Sequence, residues 1–199
     1  MVLTGPYTVI SGYGCFAIKI DIPATSPIKW ECDCYDPRYA AQVDGPPVSH
    51  IICNPHDNCE VAKVTYAVMS RAREAMVQVK LRLNNGHSPD DVSGEIRAFV
   101  GGLKVPIVLF SRAHQGTGQC FSSTHKDSWF LLQLARNVVA MPYGKMLRIE
   151  IDVDLQIETS KKHLKADVYI EDGIRRQRLV VDGFEAEVNV SWYPEVNIK

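Results

Sequence analysis

The sequence predicts an all-β fold, an antiparallel β-sandwich or partly closed barrel of about nine to eleven strands. Apolar and polar residues alternate over residues 147–155 and again over residues 184–192, so each segment has one apolar and one polar face, as a half-buried strand has. Turns rich in Gly or Pro recur at intervals of about ten residues, and the Asp172-Gly173 pair is typical of a hairpin turn. Short strands at such spacing are characteristic of sandwiches and barrels.

The first half of the chain contains strand patterns separated by loops. Residues 15–22 alternate and are predicted as a strand, whereas residues 28–48 contain Asp36-Pro37 and Gly45-Pro46-Pro47 and are predicted to be mostly a long loop. Residues 50–53 form a short apolar run. Residues 61–83 include many helix-favouring residues, but their strict alternation favours two strands joined near residues 70–73 over a helix.

The second half is predicted to be a series of strands and turns. Strands are expected at residues 92–100, 105–110, 128–135, 137–141, 145–155, 164–170, 175–181 and 184–192, with turns at 160–163, 171–173 and 182–183. Residues 112–124 are rich in Gly, Ser and Thr and are predicted to be an exposed flexible connection.

Composition indicates an ordinary globular protein without special targeting. A length of 199 residues fits one domain, so we expect a single β domain over residues 1–199. The net charge is −1 and the basic residues are scattered, so nothing attracts nucleic acid or a membrane surface. Neither a membrane-spanning apolar run nor a signal peptide is visible, so we expect a cytoplasmic protein whose six cysteines are mostly reduced.

Several segments carry a resemblance to a known family. They are VLTGP, YGCFAIKIDI, YAVMSRAREAMVQVKL, SGEIRAFVGG with VPIVLFS, LARNVVAMPYGKMLRIEIDVDL and FEAEVNVSWYPE. Together they resemble a family of grass and other plant proteins known as a domain of unknown function, which in some cereals lies beside a ribosome-inactivating domain. The resemblance implies a plant protein in defence or stress responses. It also implies that strand-like sequence typical of the family, N-terminal to VLTGP, is missing here.

Metal and thiol chemistry have candidate residues in the first third of the chain. Residue types that zinc binds are Cys32, Cys34, Cys53, His56 and Cys59. Their spacing does not match the usual pairs of zinc ligands, so we expect no metal and no cofactor. Cys59 with His50, or Cys120 with His125, has the composition of a nucleophile and base, but nothing positions either pair, and we assign no catalytic residue.

Carboxylates and tryptophans give two further candidate sites. Asp152 and Asp154 alternate on one strand face and resemble calcium ligands, but a solvated polar face with Arg148 as counter-charge explains them better. Sugar-binding proteins often use tryptophan platforms. Of Trp30, Trp129 and Trp192, only Trp30 lies in a predicted polar loop, and the other two are expected in the core.

Basic residues form two dense clusters near the C-terminus. One is Arg175, Arg176 and Arg178, and the other is Lys161, Lys162, His163 and Lys165. Solvated turns explain both, although neighbouring turns could merge them into one patch for an acidic partner.

The hypothesis that follows is a non-catalytic protein-interaction module. It would bind another protein or a second copy of itself through the loops at 28–48 and 112–126 or through an exposed sheet edge, with Trp30, Arg175, Arg176 and Arg178 as candidate contacts. A lectin-like sandwich and, more remotely, a metal- or thiol-dependent enzyme remain alternatives.

Overall fold

The structure is a computed structural model, and it describes residues 15–20, 28–33, 44–53, 58–83, 89–101, 103, 105–113, 121–124, 129–181 and 183–193. The described residues contain β-strands and no helices, and all strand pairs are antiparallel. The two large sheets do not close into a barrel. The predicted all-β antiparallel fold is therefore confirmed, in its sandwich form. None of the described segments is a helix able to cross a membrane.

The chain divides into two compact units, and the first contains the described residues between 15 and 70. It consists of two separate hairpins, β1 (Cys15–Ile20) with β2 (Ile28–Asp33) and β3 (Val48–Cys53) with β4 (Glu60–Tyr66). Beside the second hairpin, the carboxylate of Asp44 accepts hydrogen bonds from the backbone N–H and the hydroxyl of Ser70. These bonds hold the pKa of Asp44 below its ordinary value.

The second unit contains the described residues from 71 to 193 and is built from two sheets. The six-stranded sheet contains β5 (Ala72–Leu83), β8 (Phe121–Thr124), β9 (Trp129–Leu132), β10 (Val138–Pro142), β13 (Arg176–Val181) and β14 (Phe184–Tyr193). Its order is β13-β14-β5-β9-β8, with β10 also paired to β5. The four-stranded sheet, in the order β12-β11-β6-β7, contains β6 (Asp91–Val100), β7 (Ile107–Arg112), β11 (Leu147–Ile157) and β12 (Ser160–Ile170).

The inner faces of these two sheets share one apolar core. From β11 the core receives five side chains without solvent exposure: Leu147, Ile149, Ile151, Val153 and Leu155. From β5 and β14 it receives the alternate residues Ala75, Val77, Val79, Leu81, Ala186, Val188 and Val190. The alternation seen in the sequence thus separates core from surface, as expected for two packed sheets.

Residues 61–83 form β4 and β5, which confirms the interpretation as two strands. Three other local predictions are wrong in part. The proposed loop at 28–48 contains β2, and the proposed connection at 112–124 contains β8. Residues 160–163, predicted as a turn, begin β12, because Glu158, with a φ of 51°, makes the turn two residues earlier. The described residues contain fourteen strands, more than the nine to eleven predicted.

Candidate functional site

The outer face of the six-stranded sheet carries a compact network of charges between β13, β14 and β5. The β13–β14 register places Arg178 opposite Glu187 and Val180 opposite Glu185. On its other side, β14 pairs with β5 so that Glu185 lies opposite Arg82 and Glu187 opposite Lys80. Each glutamate therefore has strands with basic residues on both sides, an arrangement that favours cross-strand ion pairs.

Glu187 is the centre of this network. Its side chain is only 6% exposed, although it lies on the outer face of the sheet. Its carboxylate accepts hydrogen bonds from Arg178 Nη2 at 3.0 Å, from Asn189 Nδ2 at 3.0 Å and from Arg176. Lys80 Nζ lies 3.9 Å away. The buried carboxylate is thus paired and hydrogen-bonded, as buried charges in proteins usually are.

Electrostatics stabilise the ionised form of Glu187. Burial by itself raises the pKa of its carboxyl, but the hydrogen bonds from Asn189, Arg178 and Arg176 together lower it more. The pKa of Glu187 consequently lies below its ordinary value. The network remains positive, because four cations surround two carboxylates: Lys80, Arg82, Arg176 and Arg178 against Glu185 and Glu187.

Trp129 lies beside the same network. The Arg82 and Arg178 guanidinium carbons are 5.0 and 5.1 Å from the centre of its ring. Trp129 is 8% exposed. In β9 its neighbour Phe130 faces the core, so Trp129 faces the other side of the sheet. The indole is therefore buried beneath arginines rather than in the core, and each contact has cation–π geometry.

The backbone of β13 is paired on one side only within the described part of the chain. Hydrogen-bonded and non-hydrogen-bonded pairs alternate along the antiparallel β13–β14 ladder, and the odd-numbered residues of β13 form the hydrogen-bonded pairs. The bond from Val190 N–H to the Arg175 carbonyl, at 2.8 Å, continues this pattern. The N–H and C=O groups of Arg176, Arg178 and Val180 therefore point away from β14, toward the edge of the sheet.

The outer face of the four-stranded sheet carries a different charge pattern, in which β11 carboxylates meet β12 cations. Lys165 Nζ lies 3.1 Å from Asp152 and Lys161 Nζ lies 3.0 Å from Asp154. His163 lies between them, with Nδ1 at 3.0 Å from Asp154 and Nε2 at 3.6 Å from Asp152. The hydrogen bond to Asp152 raises the pKa of Lys165. Each aspartate is thus matched by cations of the neighbouring strand.

The remaining polar contacts of that face involve Arg148. Its guanidinium lies 3.8 Å from Glu150 and 3.4 Å from Asp167, and it stacks 3.9 Å from the Phe99 ring centre. A shallow cavity of about 220 Å³ next to Gly94 is lined by Glu95, Arg97, Glu150 and Asp152. Within the described residues no three His, Cys, Asp or Glu side chains converge as metal ligands do.

The two basic clusters do not merge. Lys161, His163 and Lys165 contact carboxylates on the outer face of the four-stranded sheet. Arg176 and Arg178 contact Glu187 on the outer face of the six-stranded sheet. Since the two sheets pack inner face to inner face, these outer faces point in opposite directions. Lys161, His163 and Lys165 therefore share no face with Arg176 and Arg178, and β13 has the denser cluster of arginines.

The other candidate residues are scattered. Trp30 and Cys32 lie in strand β2 rather than in the predicted polar loop, and Cys53 lies at the end of β3. Cys59 precedes β4 and is exposed. Cys34, His56, Cys120 and His125 lie outside the described residues. Trp192 is 7% exposed and is not a surface platform. The predicted core position holds for Trp192, whereas Trp129 is buried on the other side of the sheet.

Arg73 is a site residue that sequence reasoning missed. It is the second residue of β5, lies on the core side, is 4% exposed, and holds its guanidinium 4.2 Å from the Trp192 ring centre. It forms an ion pair with Asp172, which also accepts a 3.1 Å hydrogen bond from the Gly144 N–H. Burial lowers the pKa of Arg73. Arg73 thereby joins the turns after β10 and β12 to the end of the core.

The fold and its surface networks define an all-β antiparallel sandwich protein with a charged outer face on each sheet. The family model for a domain of unknown function, DUF6598, matches residues 1–191, and the chain belongs to this family. No curated protein and no solved structure matches the chain. The resemblance seen in the sequence is thus confirmed at the level of a family whose function is undefined.

Proposed function

We propose that this chain is a non-catalytic protein-interaction module that binds an extended segment of another chain by adding it as a strand along β13. The observation that carries the proposal is the edge of β13. Three N–H and three C=O groups there, from Arg176, Arg178 and Val180, have no ladder partner among the described residues. Backbone groups in this arrangement can pair with an added strand.

Side chains on β13 support the same function. Val180 is 70% exposed near the C-terminal end of β13, where an added strand would cover it. Leu179 and Val181, on the opposite face of β13, pack against the core and hold the strand in place. A firmly anchored strand loses little conformational entropy when a ligand binds, and this reduces the cost of association.

The proposal includes a plant origin and a role in defence or stress responses. Both rest on the resemblance of segments such as SGEIRAFVGG and FEAEVNVSWYPE to plant proteins, some of which have a ribosome-inactivating domain beside this one. An interaction module would be a fitting neighbour for an enzyme domain, because it could supply binding to a partner without adding chemistry.

Selection of short random peptides on the immobilised chain tests the strand-addition mechanism. The N–H of Val180 points to the open edge, so Val180→Pro removes an edge donor without removing a bond to β14. Val180→Thr keeps that N–H and a β-branched side chain and is the matched control. We expect selected peptides to bind the wild type and V180T, to lose binding to V180P, and to slow amide exchange at residues 176, 178 and 180.

Two results would contradict this function. One is the failure of any peptide to be enriched on the folded wild type. The other is a set of peptides that bind V180P as well as V180T, since these would occupy a different surface. Circular dichroism of both variants shows whether the sandwich is intact.

A further inference from the structure

We infer that the segment bound along β13 is acidic, with a carboxylate at every second residue where it passes Arg178 and Arg176. This inference rests on the proposed function and adds the chemical class of the partner. It starts from the direction of the β13 backbone. The groups that point to the open edge belong to Arg176, Arg178 and Val180, and the side chains of these residues lie on the outer face.

An added antiparallel strand would form its hydrogen-bonded pairs with these three residues. Directly paired residues lie on the same face of a sheet, with Cβ atoms about 5 Å apart. The partner side chains opposite Arg176, Arg178 and Val180 would therefore also lie on the outer face. The residue opposite Leu179 would face inward, beside a side chain that packs against the core.

Charge complementarity determines which residues fit opposite the arginines. The network on this face has four cations and two carboxylates, and the side chains of Arg176 and Arg178 are 56% and 43% exposed. Both arginines contact Glu187 and remain partly exposed, and a guanidinium has five N–H donors, more than these contacts use. Because opposite charges across strands attract, acidic residues are favoured at these two positions.

The sandwich already contains one strand with this pattern. On the side of β13 away from the open edge, β14 presents Glu185 opposite Val180 and Glu187 opposite Arg178. A partner on the open side would repeat the carboxylate opposite Arg178 and add one opposite Arg176. Because the partner runs antiparallel, its N-terminal end lies opposite Val180. Its first two residues, opposite 180 and 179, are apolar; the residues opposite Arg178 and Arg176 are acidic, and the one between them can be any residue.

The same reasoning disfavours a second copy of β13 as the occupant. In a symmetric antiparallel pair centred on Arg178, each Arg178 would lie opposite the other, and like charges directly opposite each other destabilise a sheet. The exposed Val180 of one copy would lie opposite Arg176 of the other. An acidic extended segment avoids both mismatches.

Three synthetic peptides test the inference on the full chain. They share the sequence Ser-Val-Val-X-Thr-X-Ser, with blocked ends and a fluorophore, and X is Glu, Gln or Lys. We expect the Glu peptide to bind about tenfold more tightly than the Gln peptide and the Lys peptide to bind more weakly still. Salt should reduce the preference for Glu, because exposed charges are screened. Fluorescence anisotropy measures the three dissociation constants.

A chain variant connects the preference to one arginine. In Arg176→Gln, the preference for Glu over Gln at the second X should fall to about one third or less, while the preference at the first X persists. If this variant fails to fold, peptides with Gln at only one X still test each position on the wild type. V180P should abolish binding of the Glu peptide, and V180T should retain it.

The outcomes separate this inference from the function on which it rests. If no peptide binds the wild type, strand addition along β13 fails and the inference with it. If all three peptides bind equally and V180P abolishes binding, strand addition stands and the acidic partner is wrong. Sedimentation showing dimers that V180P dissociates would replace the acidic segment by a second copy.

Discussion

Arg178 and Glu187 face each other across β13 and β14, with Arg178 Nη2 donating to Glu187 Oε2 at 3.0 Å. Asn189 and Arg176 donate to the same carboxylate, so a single buried acid joins the edge strand to the sheet. This relationship gives β13 two roles. Its arginines hold the edge strand through Glu187, and in the proposed function their exposed sides would contact the partner.

Glu187→Gln should lower the free energy of unfolding by about 1–3 kcal/mol at neutral pH, because hydrogen bonds to a charged group are replaced by weaker ones. Urea denaturation measures the change. Glu95→Gln is the control, since Glu95 is 39% exposed and contacts one arginine on the other sheet. Its effect should stay under about 1 kcal/mol. Equal losses in the two variants would show that burial of Glu187 adds nothing.

The effect of Glu187→Gln should also depend on pH. The pKa of Glu187 is lower in the folded chain than its ordinary value of 4.5, so the ionised carboxylate stabilises the fold above pH 4.5. This stabilisation is lost as pH falls below 4.5 through the folded pKa. Unfolding curves of the wild type and the variant should therefore converge in acid. A stability difference between the wild type and the variant that stays constant down to about pH 3 would contradict this account.

Gly94→Ala should destabilise the four-stranded sheet strongly. Gly94 has a φ of +111°, and a Cβ there would lie 2.4 Å from the Asp152 carbonyl oxygen and 2.8 Å from Val153 Cα. These neighbours are backbone atoms of β11 that cannot move without disturbing the core. We expect a loss of about 2–4 kcal/mol in thermal or urea unfolding.

Gly144→Ala is the control that separates backbone strain at a positive φ from the steric clash of the new Cβ. Gly144 also has a positive φ, +67°, but a Cβ there meets nothing within 4 Å. It should cost about 1 kcal/mol, the ordinary penalty for a left-handed alanine. If both variants lose the same stability, the approach of β11 at Gly94 is not responsible.

Much of the fold could be predicted from the sequence, because burial on one face of a strand forces a period of two. That period identified β11 and β14 and resolved residues 61–83 into strands rather than a helix. Strand β8 was missed since its four residues are held by pairing with β9, which local composition does not reveal. Strand β2 was not assigned, because Pro and Gly residues farther along the segment suggested that most of it is loop.

The site was predictable only in part. The density of Arg175, Arg176 and Arg178 marked a candidate contact, but the importance of Glu187 was not recognised. A signal was present, because the sequence Asp182-Gly183 is typical of a two-residue hairpin turn, and a turn there predicts Glu187 opposite Arg178, the register that the strands have. The position of Arg73 against Trp192 had no such signal, since it depends on packing between residues far apart in the chain.

Arg73 and Asp172 should be energetically coupled. Asp172→Asn leaves the buried Arg73 cation without its counter-charge and should cost about 1–3 kcal/mol. Arg73→Met should cost less, because Asp172 is 29% exposed and water can solvate its carboxylate. The double variant should be more stable than Asp172→Asn alone. Urea denaturation of all three variants measures the coupling, and purely additive losses would show that the pair does not interact.

Substitution of Asp154 tests whether the acidic residues of β11 form solvent-exposed ion pairs with β12 or a calcium site. The hydrogen bond from Lys161 lowers the pKa of Asp154, with a smaller contribution from His163, so its ionised form stabilises the fold above the ordinary value of 3.8 and this contribution disappears in acid. Asp154→Asn should cost less than about 1 kcal/mol at neutral pH, and high salt should reduce the loss.

Calcium provides the decisive comparison for this face. Lys161 Nζ lies 3.0 Å from Asp154, and an ammonium so close to the carboxylate repels a metal ion. Millimolar calcium should therefore leave the thermal midpoint of the wild type unchanged. A saturable rise of the midpoint that Asp154→Asn removes would instead establish a calcium site, because ligand binding to the folded state alone raises its stability.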